Sequence, residues 1–358
     1  MPVHDVGYRG WDGKKTSPLI RWKIITYTGI RLALRSRWVA RLLFLAWLPV
    51  MYWGVGFFFI ENSINQDSGT SVAETVVAAA SEATMGTDIS ADLGLGGSRK
   101  KIASIIRRQY KMVPNVEVIA STLESGDEVA TRSVVWGWLL MTFFRYPQGT
   151  LILFLVGSIA PALVSQDIRT RAFLLYFSRP IGRLEYVIGK LLVPVAFILM
   201  VSLVPAIALY FFAIMMSPDI SVIWSTWDIP LRIMAASCVL VIPVASIAVM
   251  LSSLTQESRF ANFAWFAVWA MGHGAWIAIL FSVAVGKGIN PFDPSVTNDP
   301  VSQRWSWLSL YNNLGDVQSW IFGFEDFSQI YVSAMVLAGI TIFSLVVLYY
   351  RVSAPIRV

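Results

Sequence analysis

The sequence predicts an all-α polytopic membrane protein with six transmembrane helices, and three observations carry that prediction. First, 56% of its 358 residues are apolar and only 14% are charged, against about 25% charged in ordinary soluble domains. Second, mean hydropathy is +0.62, and the apolar residues gather in separate runs long enough to cross a hydrocarbon core of about 30 Å. Third, Lys and Arg crowd the short segments beside alternate runs, which predicts cytoplasmic N- and C-termini.

Composition also narrows the function classes. Cys238 is the only cysteine and lies inside an apolar run, so one chain can form neither a disulfide framework nor a cysteine metal site. The net charge is +6. Its cations sit beside apolar runs, where anionic lipid and topology account for them, and no nucleic-acid partner is expected. The first forty residues lack the short apolar region and small-residue cleavage site of a signal peptide. No Asp, Glu, His or Cys cluster has metal-ligand spacing, and no convergent catalytic set is visible. An enzyme, a metal site and a bound cofactor are therefore not expected.

In chain order, residues 1–41 hold nine Lys or Arg and are expected in the cytoplasm, with an interfacial helix over 18–38. Residues 7–16, GYRGWDGKKT, are a near miss for a phosphate-binding loop. Lys15 stands where Ser or Thr must follow the lysine, and the glycine spacing is wrong. Residues 42–60 form the first span. Residues 61–148 then make a large external loop. Within it, 63–97 is rich in small polar residues, and 98–112 is a basic amphipathic helix with Ile102, Ile105 and Ile106 on one face. That helix fits either a lid or membrane-surface anchor, or a solvated helix. Its charge does not oppose the topology, because loops beyond about 60 residues translocate largely regardless of charge. Residues 134–144, VVWGWLLMTFF, are apolar but too short to span, and Arg145, Tyr146 and Pro147 are expected to stop them. An interfacial or a re-entrant helix fits this stretch.

Residues 149–164 form the second span, bent near Pro161. The charged island 165–190 follows, and residues 191–213 form the third span, with kinks expected at Pro194 and Pro205. Residues 230–251 make the fourth span, with Arg232 snorkelling outward. Residues 261–285 make the fifth, and 286–329 an external loop carrying Trp305, Trp307, Trp320 and Phe322. Residues 330–350 make the sixth span, and 351–358 a cytoplasmic tail.

Two places carry candidate functional residues. His273 lies inside the fifth span, and an intramembrane ionisable group is a functional candidate. With no carboxylate near it in its own helix, hydrogen bonding across helices is the stronger reading. Its neighbours Gly272 and Gly274 predict a close helix approach, such as an intersubunit face. Trp265, Trp269 and Trp276 fall on one stripe of the same helix, which lipid, a partner subunit or a substrate path would fit equally.

The second place is the island 165–190, SQDIRTRAFLLYFSRPIGRLEYVIGK. Its five basic residues must lie outside the hydrocarbon, since a charge at the bilayer centre costs about 2.5–3.5 kcal/mol, and they place it on the cytoplasmic side. Ile168, Ala172, Leu175 and Tyr176 share one helical face. Pro180 cannot continue a helix but can begin one. A helix, a break at residues 178–180 and a second helix are therefore expected. An ordinary charged loop on lipid headgroups fits the same residues.

The pattern Gln166-Asp167-Ile168-Arg169, then Leu175-Tyr176-Phe177-Ser178-Arg179-Pro180, then Arg183-Leu184-Glu185-Tyr186 and Gly189-Lys190 resembles the ABC-2 type transporter permease family. The resemblance implies that this stretch carries a coupling helix docking into a separate ABC ATPase subunit. It assigns ATPase coupling to Asp167, Arg169, Arg171, Tyr176, Arg179, Pro180 and Arg183. It also implies a second permease copy or a paralogue as partner, a cell-membrane location and export as the usual direction. A different outcome from the same family pattern is a scaffold that transmits ATPase work to envelope partners without transporting anything.

Overall fold

The computed structural model describes residues 20–67, 99–109, 115–125, 127–172, 182–291 and 293–353. Among these there is no strand. Helix α1 is Arg21–Leu34 and α2 is Arg37–Asp67. The segment between the first and second spans holds α3 (Arg99–Gln109) and α4 (Val116–Ser125). A long column follows: α5 (Glu128–Phe143), a π-helical turn (Phe144–Gln148), α6 (Gly149–Ile159) and α7 (Pro161–Arg169). Then come α8 (Arg183–Val201), α9 (Leu203–Met216), the short α10 (Val222–Ser225), α11 (Asp228–Leu254) and α12 (Ser258–Lys287). The chain ends with α13 (Pro294–Thr297), α14 (Pro300–Arg304), a 3₁₀ turn (Ser306–Leu308), α15 (Leu310–Ile321) and α16 (Phe327–Ser353).

Six helical stretches are long and apolar enough to cross a membrane: Arg37–Asn65, Glu128–Arg169, Arg183–Met216, Asp228–Leu254, Ser258–Lys287 and Ile330–Val352. Helix α11 is the hub and packs on α16, α7, α8, α9, α12 and α15. The most apolar stretch of α11 is 72% buried, against 11% for α12. Helix α11 is therefore the centre of the bundle, while α12 offers most of its surface outward. The amphipathic α1 packs along α8.

The second column differs most from the sequence expectation. Val134–Phe144 is no separate short helix: Val135, Trp136, Leu140, Met141 and Phe143 are fully buried in α5, and the helix runs on through Arg145, Tyr146 and Pro147. A proline removes one backbone donor, and a π turn accommodates such a lost bond within a continuing helix. Arg145 need not leave the bundle either, because Asp316 of α15 lies 4.0 Å from its guanidinium. In the third span the break falls at Ser202, between α8 and α9, and not at Pro194. Pro205 leaves the Val201 carbonyl without its helical donor and crowds it, which is where α8 ends.

The expected basic helix 98–112 appears as α3 over Arg99–Gln109, and two of its cations are paired. Arg107 bonds Glu117 and Glu124 of α4, and Arg99, 5% exposed, meets Glu128 at 3.6 Å. Residues 63–67 continue α2. The rest of 63–97 lies outside the described residues, as do 1–19 and 354–358.

Candidate functional site

The α7 end of the second column terminates on a Schellman motif. Thr170 caps α7, the Ala172 N–H donates to the Asp167 carbonyl (2.9 Å) and the Arg171 N–H to that of Ile168 (3.3 Å). This geometry needs a left-handed residue after the cap, normally glycine. Here it is Arg171, at φ 51°. The expected helical face from Ile168 to Tyr176 is therefore interrupted at Arg169, because the last carbonyls turn back on the chain. Tyr176, Arg179 and Pro180 lie outside the described residues. The described helix resumes at Arg183, with Gly182 as its cap and Glu185 accepting from the Gly182 N–H at 3.0 Å.

The two helix ends are joined through side chains. The Asp167 carboxylate accepts from the Lys190 ammonium at 2.7 Å and from the Tyr186 hydroxyl at 2.7 Å. The Lys190 ammonium also lies over the Tyr186 ring, 5.6 Å from its centroid. Tyr186 is fully buried. Helix α1 hooks onto the same place, since the Thr26 hydroxyl donates to the Gly189 carbonyl at 3.0 Å. A Cβ on Gly189 would fall 2.8 Å from the Ile25 Cβ, so only glycine admits this approach. Farther out, Arg169 faces Glu257, at the start of α12, at 3.7 Å. Ser252 of α11 accepts from the Val164 and Ser165 N–H groups and donates to the Pro161 carbonyl. Second, third, fourth and fifth spans thus converge here.

The residues singled out from sequence divide accordingly. Asp167 points into the bundle, whereas Arg169 and Arg171 are exposed and Arg183 opens α8 partly buried. Lys190 and Tyr186, part of the family pattern but given no role from sequence, complete the arrangement with Thr26 and Glu257. Lys190 and Tyr186 stood in the same island, 23 and 19 positions after Asp167, but their separation matches no helical spacing, so only the turn between α7 and α8 brings them together.

The candidates of the fifth span lie elsewhere. His273 bonds Ser309, the cap of α15, at 3.0 Å through Nδ1, and its ring meets Tyr311 edge-on at 5.4 Å. Gly272 allows the Leu308 carbonyl to approach, with a Cβ landing 2.6 Å from it, while Gly274 faces open space. Trp265 and Trp269 are 1% and 7% exposed, so their stripe faces the protein's own interior. Around Arg145 stand Asp316, which accepts from Ser333 at 2.9 Å, and Tyr311, which donates to the Arg145 carbonyl at 2.9 Å. Burial raises the Asp316 carboxyl. Burial and then the Asp316 charge push Glu325 up to about 7. A separate network binds the C-terminal part of α2 to the N-terminal part of α5: Glu61, 1% exposed, accepts from Arg132 at 3.3 Å and from the Trp136 indole at 2.9 Å.

Among the described residues no group of three His, Cys, Asp or Glu is placed to hold a metal. No curated protein and no solved structure matches this chain. A family model described as "ABC-2 family transporter protein" matches residues 28–352, from within α1 to the last turn of α16. With the six spans and the charged turn joining the second to the third, that match shows that the chain belongs to the ABC-2 transporter family.

Proposed function

We propose that this chain is the membrane-spanning subunit through which a separate ABC ATPase moves a substrate outward, working with a second copy or a paralogue. Membership of the family supports a permease role, and its permeases normally work with an ABC ATPase. One observation carries the finer reading. The Asp167–Lys190–Tyr186 knot ties the two ends of the 170–182 connection together, and Thr26 hooks α1 to the same point. A push on that connection reaches α7, α8 and α1 at once, which is the mechanical requirement for rocking packed helices as units.

The roles of the charged residues then separate. Arg169 and Arg171 are exposed and are the groups for the ATPase to grip. Asp167 is committed inside the bundle and is a positioning residue. The test is co-expression with a candidate ABC ATPase subunit. Arg169→Glu with Arg171→Glu is expected to abolish co-purification. Asp167→Asn is expected to keep co-purification and lose ATP-driven transport. Intact co-purification and transport in the arginine pair variant would overturn the grip. ATP-dependent work without any transported substrate, in liposomes containing both subunits, would favour the scaffold reading.

A further inference from the structure

Between α1, the first turn of α2 and the inner part of the second column lies a cavity of about 400 Å³. That is within the ~300–1,000 Å³ typical of small-molecule sites. Ile25, Leu32, Val39, Ile159, Ala162 and Leu163 give it apolar walls. Lys190 also lines it and is 9% exposed. Its ammonium has three hydrogens, and Asp167 takes one of them. The mouth is marked by Ser36, flanked in sequence by Arg35 and Arg37, with Arg31 about one turn earlier. These three arginines are exposed and have no acidic partner within ion-pair distance among the described residues. Around them α1 and α2 turn Ile24, Tyr27, Leu34 and Trp38 outward, a surface suited to lipid.

The lining asks for an occupant with two chemistries. Free phosphate would leave the apolar walls unused, and an apolar peptide would leave the arginines unpaired. We propose that this groove holds one anionic phospholipid of the cytoplasmic leaflet. Its acyl chain lies between α1 and the second column, and its headgroup lies against Arg35 and Arg37, with Lys190 as a buried donor to its oxygens. The leaflet assignment rests on α1 lying at the cytoplasmic interface. Each cation near an anionic surface strengthens binding by about fivefold.

The experiment places the purified full-length chain in nanodiscs of phosphatidylcholine doped with a phosphatidylglycerol that carries a photoreactive diazirine on its acyl chain. Cross-linked peptides are then mapped by mass spectrometry. Both leaflets carry the probe, and neither ATP nor the ATPase is present, so the result is independent of the motor reading. Labelling is expected to concentrate in residues 25–39 and 158–167. Unlabelled phosphatidylglycerol should compete and phosphatidylcholine should not. Arg35→Gln with Arg37→Gln is expected to lower the labelling by about tenfold or more. Ser36→Trp, at the exposed mouth, is expected to block it without disturbing packed residues. Labelling spread evenly over the outward helix faces, equal competition by phosphatidylcholine, or unchanged labelling in the arginine variant would each overturn the proposal.

Discussion

The two ends of the second column each bury a charged residue, and they hold it differently. At the α5 end, outer on the proposed topology, the side chains of Arg132 and Glu61 are 6% and 1% exposed. Arg132 also reaches Asn65 and Glu128 at 3.3 Å, while Trp136 donates to Glu61. At the α7 end, inner on the proposed topology, Asp167 and Lys190 are 14% and 11% exposed, share only Tyr186 as a further partner among the described residues, and border a cavity. The outer charges are over-determined, since moving one partner breaks several bonds. The inner pair has fewer bonds and a cavity in place of packed side chains beside it, so the same displacement meets less resistance there. On the proposed function, a helix bundle driven from one side needs that asymmetry: a stiff far end and a near end that can shift.

The comparison breaks first at Arg132. Arg132→Ala leaves Glu61 buried with the Trp136 indole alone, and removal of one partner from a buried pair costs about 3–5 kcal/mol. Thermal unfolding of the purified protein should show that loss. Glu61→Gln should cost less, about 1–2 kcal/mol, because an amide still accepts from the indole and Arg132 keeps its other acceptors. A loss below about 1 kcal/mol in Arg132→Ala would mean that the outer end is no firmer than an exposed surface pair.

At the inner end the same measurement should give a smaller number. Asp167→Asn keeps the shape and an acceptor but gives up charge-assisted bonds to Lys190 and Tyr186, worth about 1.5–3 kcal/mol. Adding Lys190→Met to Asp167→Asn removes the orphaned cation and should recover part of the loss. If the single variant equalled or exceeded Arg132→Ala, the proposed asymmetry between the ends would be wrong.

A third effect concerns the outer loop and depends on pH. Glu325 is pushed up to about 7 from 4.5, by burial first and by the Asp316 charge second, with Arg145 opposing. Between those two values the folded protein keeps a proton that the unfolded chain has released. The contribution of Glu325 to stability should therefore be highest below pH 4.5 and fall as pH rises to about 7. The buried Asp316 carboxyl, also raised, adds a contribution of the same sign. Glu325→Gln should flatten the slope in unfolding measured across this range. A wild-type profile that rises from pH 4.5 to 7 relative to the variant would contradict the site's electrostatics. Glu325 is only partly buried, and solvent screening keeps the effect below that of the Arg132 network.

Six apolar helices were legible because spanning length is a local property of the chain. What stayed hidden depended on partners distant in sequence. Arg145, Tyr146 and Pro147 read as a stop because nothing nearby announces Asp316, and so Val134–Phe144 was separated from the column to which it belongs. Glu61 read as the hydrophilic limit of the first span, although Arg132, 71 positions later, makes it a buried residue. The helix end at Arg169 was hidden for a different reason. Its left-handed residue is an arginine, and the glycine that normally marks such an end is absent. The charged island itself was found, since charge between apolar runs is conspicuous, but periodicity could not pair Asp167 with Lys190 across a turn.

That left-handed arginine gives the smallest expected effect. A residue with a Cβ in the left-handed region costs about 1–2 kcal/mol relative to the right-handed helix, and glycine carries no such cost in the folded state but loses more entropy on folding. Arg171→Gly should therefore stabilise only slightly, by about 0.5 kcal/mol, once the two terms are set against each other. The nearby Arg169–Glu257 pair, 55% and 47% exposed, should cost no more than about 1 kcal/mol when Glu257 becomes Gln. Together these separate shape from charge. If Arg171→Gly keeps or raises the unfolding temperature yet weakens capture of the ATPase, the exposed guanidinium serves the partner at the expense of the fold. If Arg171→Gly instead destabilises by more than about 1 kcal/mol, Arg171 is a structural cap, and its left-handed backbone carries no sign of a docking role.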